Sequence, residues 1–379
     1  MKKKQLLHTP EGVRDLYGKE YAKKLVLQDK VMKNIQLYGY ENIQTPTFEF
    51  FDVFSEEIGT TGSRELYKFF DKDGNTLVLR PDFTPSMARC AAKYFMEQNV
   101  PIRFCYSGNT FINNDNLKGK LKELTQMGAE LIGDDSVYAD AEMIMMVIDT
   151  LRAAGLTKFQ VSVGEVEYFK GICKHAGLDS ETEMEIRNFI SEKNFFAAEE
   201  LMIEKGISDR DREAILQVRE FYQVEETLAK AKELAPNEMS LNAISRLEAL
   251  YDLLKKYGVE EYVSFDLGML SKFHYYTGVI FKAYTYGVGD AIVNGGRYDA
   301  LLGRFGKEAA AIGFMVLIDD LMEALYRQGI ETEVLENKKT IYYNKDNYTE
   351  KLSEAIKLRN EGVCVSMIAI EFEGANKEK

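Results

Sequence analysis

Gly278-Val279-Ile280-Phe281-Lys282-Ala283-Tyr284, followed by Gly287, Gly289 and then Ala291-Ile292-Val293, is the stretch on which the fold turns. β-Branched and aromatic residues run in two short blocks, with glycines between them and again at Gly295 and Gly296. Such blocks predict strands, and glycines so closely spaced predict a tight return. Two strands joined without a helix are antiparallel neighbours.

The same grammar recurs on both sides. Thr76–Leu79, Arg103–Tyr106, Gln126–Ile132, Phe159–Val163 and Tyr262–Phe265 predict strands, and Asn42–Pro46 predicts an extended segment ended by its proline. Asn113–Asn116 marks a polar loop. Helical spacing runs through Tyr21–Tyr38, where Tyr21, Leu25, Met32 and Ile35 share a stripe and Gly39 is the stop. It recurs in Ala88–Gln98, in the Met-rich Ala139–Ala154 closed by Gly155, and in Asp319–Gln328. Residues 172–256 are charge-dense and almost wholly helical in pattern, as in Asp211–Leu234 and Ile244–Lys256, which predicts a helical insertion within a core of residues 1–330. Beyond a polar linker at Glu336–Lys339 the pattern is strand (Thr340–Tyr343), helix (Tyr348–Arg359), strand (Val363–Met367), a short βαβ remnant over residues 338–379. Strands broken by hairpin signals, with helices that do not alternate strictly, predict an α+β fold with an antiparallel sheet flanked by helices.

Composition narrows the function. The 379 residues carry 48 Lys and Arg against 61 Asp and Glu, a formal net charge of −13. That balance lacks the basic footprint of a general nucleic-acid binder. Apolar residues make up 45% and no run approaches the ~20 residues a bilayer span requires, so a cytoplasmic chain without a membrane partner is expected. Cys90, Cys105, Cys173 and Cys364 form no CxxC pair, and His8, His175 and His274 have no metal-ligand spacing. No metal site, hydrolytic triad, phosphate loop or dinucleotide fingerprint is expected.

Six clusters then carry a resemblance. They are Thr9–Asp15, Tyr38–Tyr40 with Thr45–Glu49, Leu79–Thr84, Gln126–Glu130, Tyr275–Gly278 and Asn294–Asp299. In this order they resemble the histidyl-tRNA synthetase family over roughly residues 8 to 325, and the helical insertion falls where that family carries one. The resemblance implies a class II aminoacyl-tRNA synthetase-like antiparallel sheet, dimerised through the segment around Pro46. It also implies a histidine slot. Asp82 and Thr84 match the family's contacts to the ammonium, Gln126 and Glu130 match two further ligand contacts, and Tyr275 and Tyr276 flank the imidazole. Carboxylates against an ammonium and aromatic walls for a ring suit a zwitterionic amino acid. Asp82 is one methylene shorter than the family's Glu.

The departures matter as much. Ile112 stands where the family has an Arg on the ATP phosphates, Ser271 where an Arg faces the α-phosphate, and Asp320 where an Arg holds the γ-phosphate. Losing one preorganised donor costs ~10²–10³ in rate, so losing three removes adenylation. Lys272 cannot reproduce a bidentate fork. Lys118, Lys120 and Lys122 resemble the basic loop of the family's second motif and could touch an anion, but a solvated strand face is the reading these residues favour. The tail is shorter than the anticodon-binding domain expected of a complete synthetase. A histidine slot without ATP handling resembles the regulatory-subunit family of ATP phosphoribosyltransferase. That resemblance implies no catalytic residues, no cofactor, and a homodimer within a hetero-oligomer. The partner would be a short-form catalytic subunit, and histidine the feedback effector of histidine biosynthesis. The alternatives are an active histidyl-tRNA synthetase-like ligase and a stand-alone amino-acid sensor or scaffold.

Overall fold

Polar caps and apolar periodicity partition the chain, in the computed structural model, into eleven helices and thirteen strands among the described residues. Those residues are 7–55, 61–98, 100–113, 121–216, 224–270, 276–334 and 338–372. Two compact units divide between residues 331 and 332.

The first unit opens with α1 (Gly18–Leu37), β1 (Glu41–Asn42), β2 (Phe48–Phe50), β3 (Lys68–Phe70), β4 (Thr76–Leu79) and α2 (Thr84–Tyr94). There follow β5 (Ile102–Phe111), β6 (Glu123–Ile132), α3 (Val137–Ala154) and β7 (Phe159–Glu165). Six helices come next: α4 (Val166–His175), α5 (Ser180–Ser191), α6 (Phe195–Glu204), α7 (Asp209–Leu216), α8 (Val224–Leu234) and α9 (Glu238–Tyr257). The strands then resume with β8 (Val263–Phe265), β9 (Val279–Thr285), β10 (Val293–Arg297) and β11 (Ala311–Leu317), before α10 (Ile318–Arg327).

Eight strands form one sheet in the order β1-β5-β6-β11-β10-β9-β7-β8. The six from β5 to β7 are antiparallel to their neighbours, and only the edge pairs β1–β5 and β7–β8 are parallel. The α+β antiparallel expectation is thus borne out. Residue alternation gives β6 two faces. Met127, Ala129 and Leu131 join the core under α1 and α3, with Val31, Ile144 and Val147. Gln126, Gly128 and Glu130 face the other way. There α2 covers the sheet, and its Met87, with Phe83 just before it, packs on Phe104 and Tyr106 of β5. A separate three-stranded sheet, β2-β4-β3, carries Phe48, Phe50 and Phe69 exposed.

Four elements depart from the sequence-based expectation. On α1 the inward face is Lys24, Leu27, Val31 and Ile35, whereas Tyr21 and Leu25 are 46% and 47% exposed. A buried ion pair from Lys24 Nζ to Asp319 Oδ1, 2.8 Å, holds that face inward. Helix α2 begins four residues earlier than expected. Pro85 suits a first turn because it lacks a donor that would go unused there, and Asp82 Oδ1 accepts the Phe83 amide at 2.6 Å. Strand β10 starts at Val293 and runs through both glycines to Arg297. Strand β11, unforeseen, lies at the centre of the sheet between β6 and β10.

Within the helical stretch between β7 and β8, α9 packs on α3 and α4. Its ends are set locally. The Asn237 side chain accepts the Ser240 amide at 3.0 Å, and Gly258 takes the left-handed conformation, φ 70°, that terminates a helix. Helix α3 ends likewise, from a Ser136 cap to Gly155 at φ 107°. The second unit is β12 (Lys338–Tyr343), α11 (Tyr348–Asn360) and β13 (Cys364–Ala369), with its two strands paired in parallel. Ile341 and Ala355 are its buried residues among those described.

Candidate functional site

Strand β6 sets the floor of the site. Its registers put Gly128 opposite Tyr106 of β5 and Met315 of β11, and Glu130 opposite Phe104 and Gly313. Two of these positions must be glycine. A Cβ on Gly128 would lie 2.1 Å from the Phe314 carbonyl and 2.6 Å from the Tyr106 hydroxyl. A Cβ on Gly313 would lie 1.6 Å from Glu130 Oε2, so only a bare backbone lets that carboxyl stand upright.

Above this floor is a recess of about 340 Å³, its open mouth included, whose walls include Asp82, Thr84, Tyr276, Asn294, Tyr298 and Met315. Asp82 and Thr84 come from the turn into α2, and Tyr298 from the residue just past β10. Glu130 lies beneath, 1% exposed. Its Oε1 accepts the Thr84 hydroxyl at 3.1 Å, and its Oε2 accepts the Tyr298 hydroxyl in a very short bond. Burial pushes this carboxyl up to about 8, the nearby charge of Asp82 adds to the rise, and the two hydroxyls oppose it. Gln126 is 3% exposed, and its Oε1 has no hydrogen-bond partner among the described residues; the same holds for the Tyr106 hydroxyl, 1% exposed. Buried polar atoms without a partner call for a water or a ligand group to satisfy them.

The structure therefore brings together Asp82, Thr84, Glu130 and Tyr276, with Gln126 two registers along the same strand face from Gly128. Tyr275 and Ser271 lie outside the described residues, as do Lys118, Lys120 and Lys272. Ile112 is half-buried beyond the end of β5, where its amide donates to the Lys122 carbonyl at 2.9 Å. Asp320 lies in the first turn of α10. Among the described residues no group of His, Cys, Asp or Glu could hold a metal, and no helix is long and apolar enough to cross a membrane.

Tyr106, Tyr298, Gly313 and Met315 were not singled out from sequence. Tyr298 sits inside the quoted Asn294–Asp299 cluster, but a buried hydroxyl leaves no local signal. Arg297, beside it, is 3% exposed and grips Asp140 of α3 through Nε at 3.0 Å and Nη2 at 2.6 Å. Arg246 of α9 takes the other oxygen of Asp140 at 2.6 Å.

An antiparallel sheet of this order, with a polar, aromatic-walled slot on the face that carries Gly128 and Glu130, is the architecture of a class II synthetase. A family model described as histidyl-tRNA synthetase matches residues 12–321. The ATP phosphoribosyltransferase regulatory subunit of Acetivibrio thermocellus is 39% identical over 361 residues, covering 95% of this chain and 86% of that one. That of Ruminiclostridium cellulolyticum is 38% identical over 364 residues, covering 96% and 87%. A crystal structure from Bacillus halodurans C, described as an ATP phosphoribosyltransferase regulatory subunit/histidyl-tRNA synthetase, superposes with a TM-score of 0.88 at 32% identity, covering 99% of this chain and 94% of that one. The chain belongs to the histidyl-tRNA synthetase-like family of ATP phosphoribosyltransferase regulatory subunits.

Proposed function

We propose that this chain is the non-catalytic regulatory subunit of an ATP phosphoribosyltransferase, acting in histidine biosynthesis with a short-form catalytic subunit and binding histidine as effector. The observation that carries the proposal is a contrast between the recess and the positions that would grip phosphates. The recess keeps Asp82 in its wall with Glu130 buried beneath it, and Gln126 Oε1 on the same strand and the Tyr106 hydroxyl on the next have no hydrogen-bond partner among the described residues. The positions that would grip phosphates carry Ile112, Ser271 and Asp320. An effector that prefers one arrangement of the complex shifts its population, and a coupling of ~1–3 kcal/mol gives 5- to 150-fold control.

Reconstitution with a short phosphoribosyltransferase chain tests this. The pair turns over, histidine inhibits it, and the chain alone supports no histidine-dependent ATP–pyrophosphate exchange. Exchange at a synthetase-like rate refutes the proposal. The exposed Phe48, Phe50 and Phe69 near Pro46 support a homodimer within that assembly. Phe48→Glu should yield monomers in sedimentation, and an unchanged dimer refutes that interface.

A further inference from the structure

An amino acid brings a carboxylate as well as an ammonium, and the two need opposite surroundings. Asp82 and Thr84 suit the ammonium. Two hydroxyls of the recess wall are already spent, because Thr84 and Tyr298 both donate to Glu130. Asn294 differs. It stands half-buried in the wall, and its carboxamide makes no hydrogen bond among the described residues. A carboxamide has two N–H donors to give. The strand registers put a charge beside it. Asn294 of β10 pairs with Met315 of β11 and with Lys282 of β9, and Met315 pairs with Gly128. All four therefore share one sheet face, and paired side chains there are ~5 Å apart at Cβ. Lys282 is the one cation among the described strand residues on that face. It lies near Asp266, whose carboxyl burial raises while the charges of Lys193 and Lys282 oppose the rise. Two lysines around one acid leave this group net positive. Arg80, over Gly108 of β5, is held by main-chain carbonyls instead, Asn109 at 2.9 Å and Thr45 at 3.0 Å.

We propose that Asn294 and Lys282 form the subsite for the ligand's carboxylate. The Asn294 carboxamide donates to one carboxylate oxygen, and the Lys282 ammonium on the adjacent strand supplies the countercharge. The zwitterion then lies across the sheet, its ammonium against Asp82 and its carboxylate toward β9. This rests on the reading of the recess as an amino-acid slot. It adds a rule of ligand choice, because the recess must prefer an amino acid to the amine or alcohol that has the same side chain and lacks the carboxylate. A hydrogen bond to a charged group sets the size of that preference at roughly tenfold to a hundredfold.

Isothermal titration with L-histidine and with L-histidinol, which carries an alcohol in place of the carboxylate, tests the subsite. The chain is titrated alone and assembled with its catalytic partner. The wild type should prefer histidine by roughly tenfold or more. Asn294→Ala and Lys282→Met should each weaken histidine by about tenfold and leave histidinol within about threefold, so that the preference collapses. Asn294→Asp, of nearly the same size, should reject histidine further by setting a like charge against it. Asp82→Asn should weaken both ligands alike, since both carry the ammonium. A wild type that binds the two ligands equally overturns the subsite and leaves the slot standing. So does a preference that survives either substitution, or a variant that loses both ligands in equal proportion. If Asn294→Ala does not fold, Asn294→Asp decides in its place, and Lys282→Gln does the same for Lys282→Met. Absence of binding heat for both ligands in both wild-type preparations refutes the slot itself, and the subsite with it.

Discussion

Replacing Asp140 by Asn should cost the core far more than removing one of its partners. Asp140 is 0% exposed in the first turn of α3, and both of its oxygens are engaged by guanidinium groups. Arg297 brings it β10, and Arg246 brings it α9. In Asp140→Asn the guanidinium of Arg297, 3% exposed, keeps the Asp134 carbonyl at 3.0 Å and Asp299 at 3.3 Å but loses its buried countercharge. Removing one member of a buried ion pair costs ~3–5 kcal/mol, since the survivor stays desolvated. Arg246→Gln is milder. Its side chain is 29% exposed, and Asp140 keeps Arg297, so the loss should be ~1 kcal/mol. Urea unfolding followed by circular dichroism measures both, and the double variant should lose little beyond Asp140→Asn alone. A loss below ~1 kcal/mol for Asp140→Asn, or equal losses in the two single variants, refutes the reasoning.

Stability of the empty chain should depend on pH through Glu130. Its folded value of about 8 lies above the ordinary 4.5, so the ionised form is penalised in the folded state and the wild type loses stability as the pH rises through that window. Glu130→Gln escapes the loss and should be more stable above pH 8 by up to roughly 5 kcal/mol, with the gap closing near pH 5; a gap independent of pH contradicts this. Gly313→Ala should abolish histidine binding, because its Cβ falls 1.6 Å from Glu130 Oε2 and 2.7 Å from the Ala129 carbonyl. Calorimetric affinity within threefold of wild type would show that the carboxyl can move aside.

The antiparallel architecture was legible in period and punctuation, yet its central strand was not. Ala311-Ile312-Gly313-Phe314-Met315-Val316-Leu317 is almost continuously apolar because it is flanked by strands and covered on both faces. It therefore lacks the alternation that marks a half-buried strand. Gly295 and Gly296 signal a turn locally but stay extended. Aromatic rings fill the space their side chains would need, Phe281 over Gly295 and Tyr276 over Gly296. On α1 a stripe through Tyr21 and Leu25 satisfied helical spacing, but Lys24 faces inward because its partner lies 295 residues away. Site residues were expected from resemblance in register. The depth of Glu130, the open Gln126 Oε1 and the hydroxyl of Tyr298 depend on neighbours distant in sequence.

The sheet's strand order also sets an order of assembly. Strand β6 ends at Ile132, but the strand that lies against it begins at Ala311, so residues 133–310 must be synthesised before that edge is covered. Contacts of such separation form slowly and leave an unpaired apolar edge on the emerging chain. Because Gly313 on that late strand also backs Glu130, the floor of the recess is completed only when the sheet closes. A nascent chain released before Ala311 keeps every acid of the slot and has no slot.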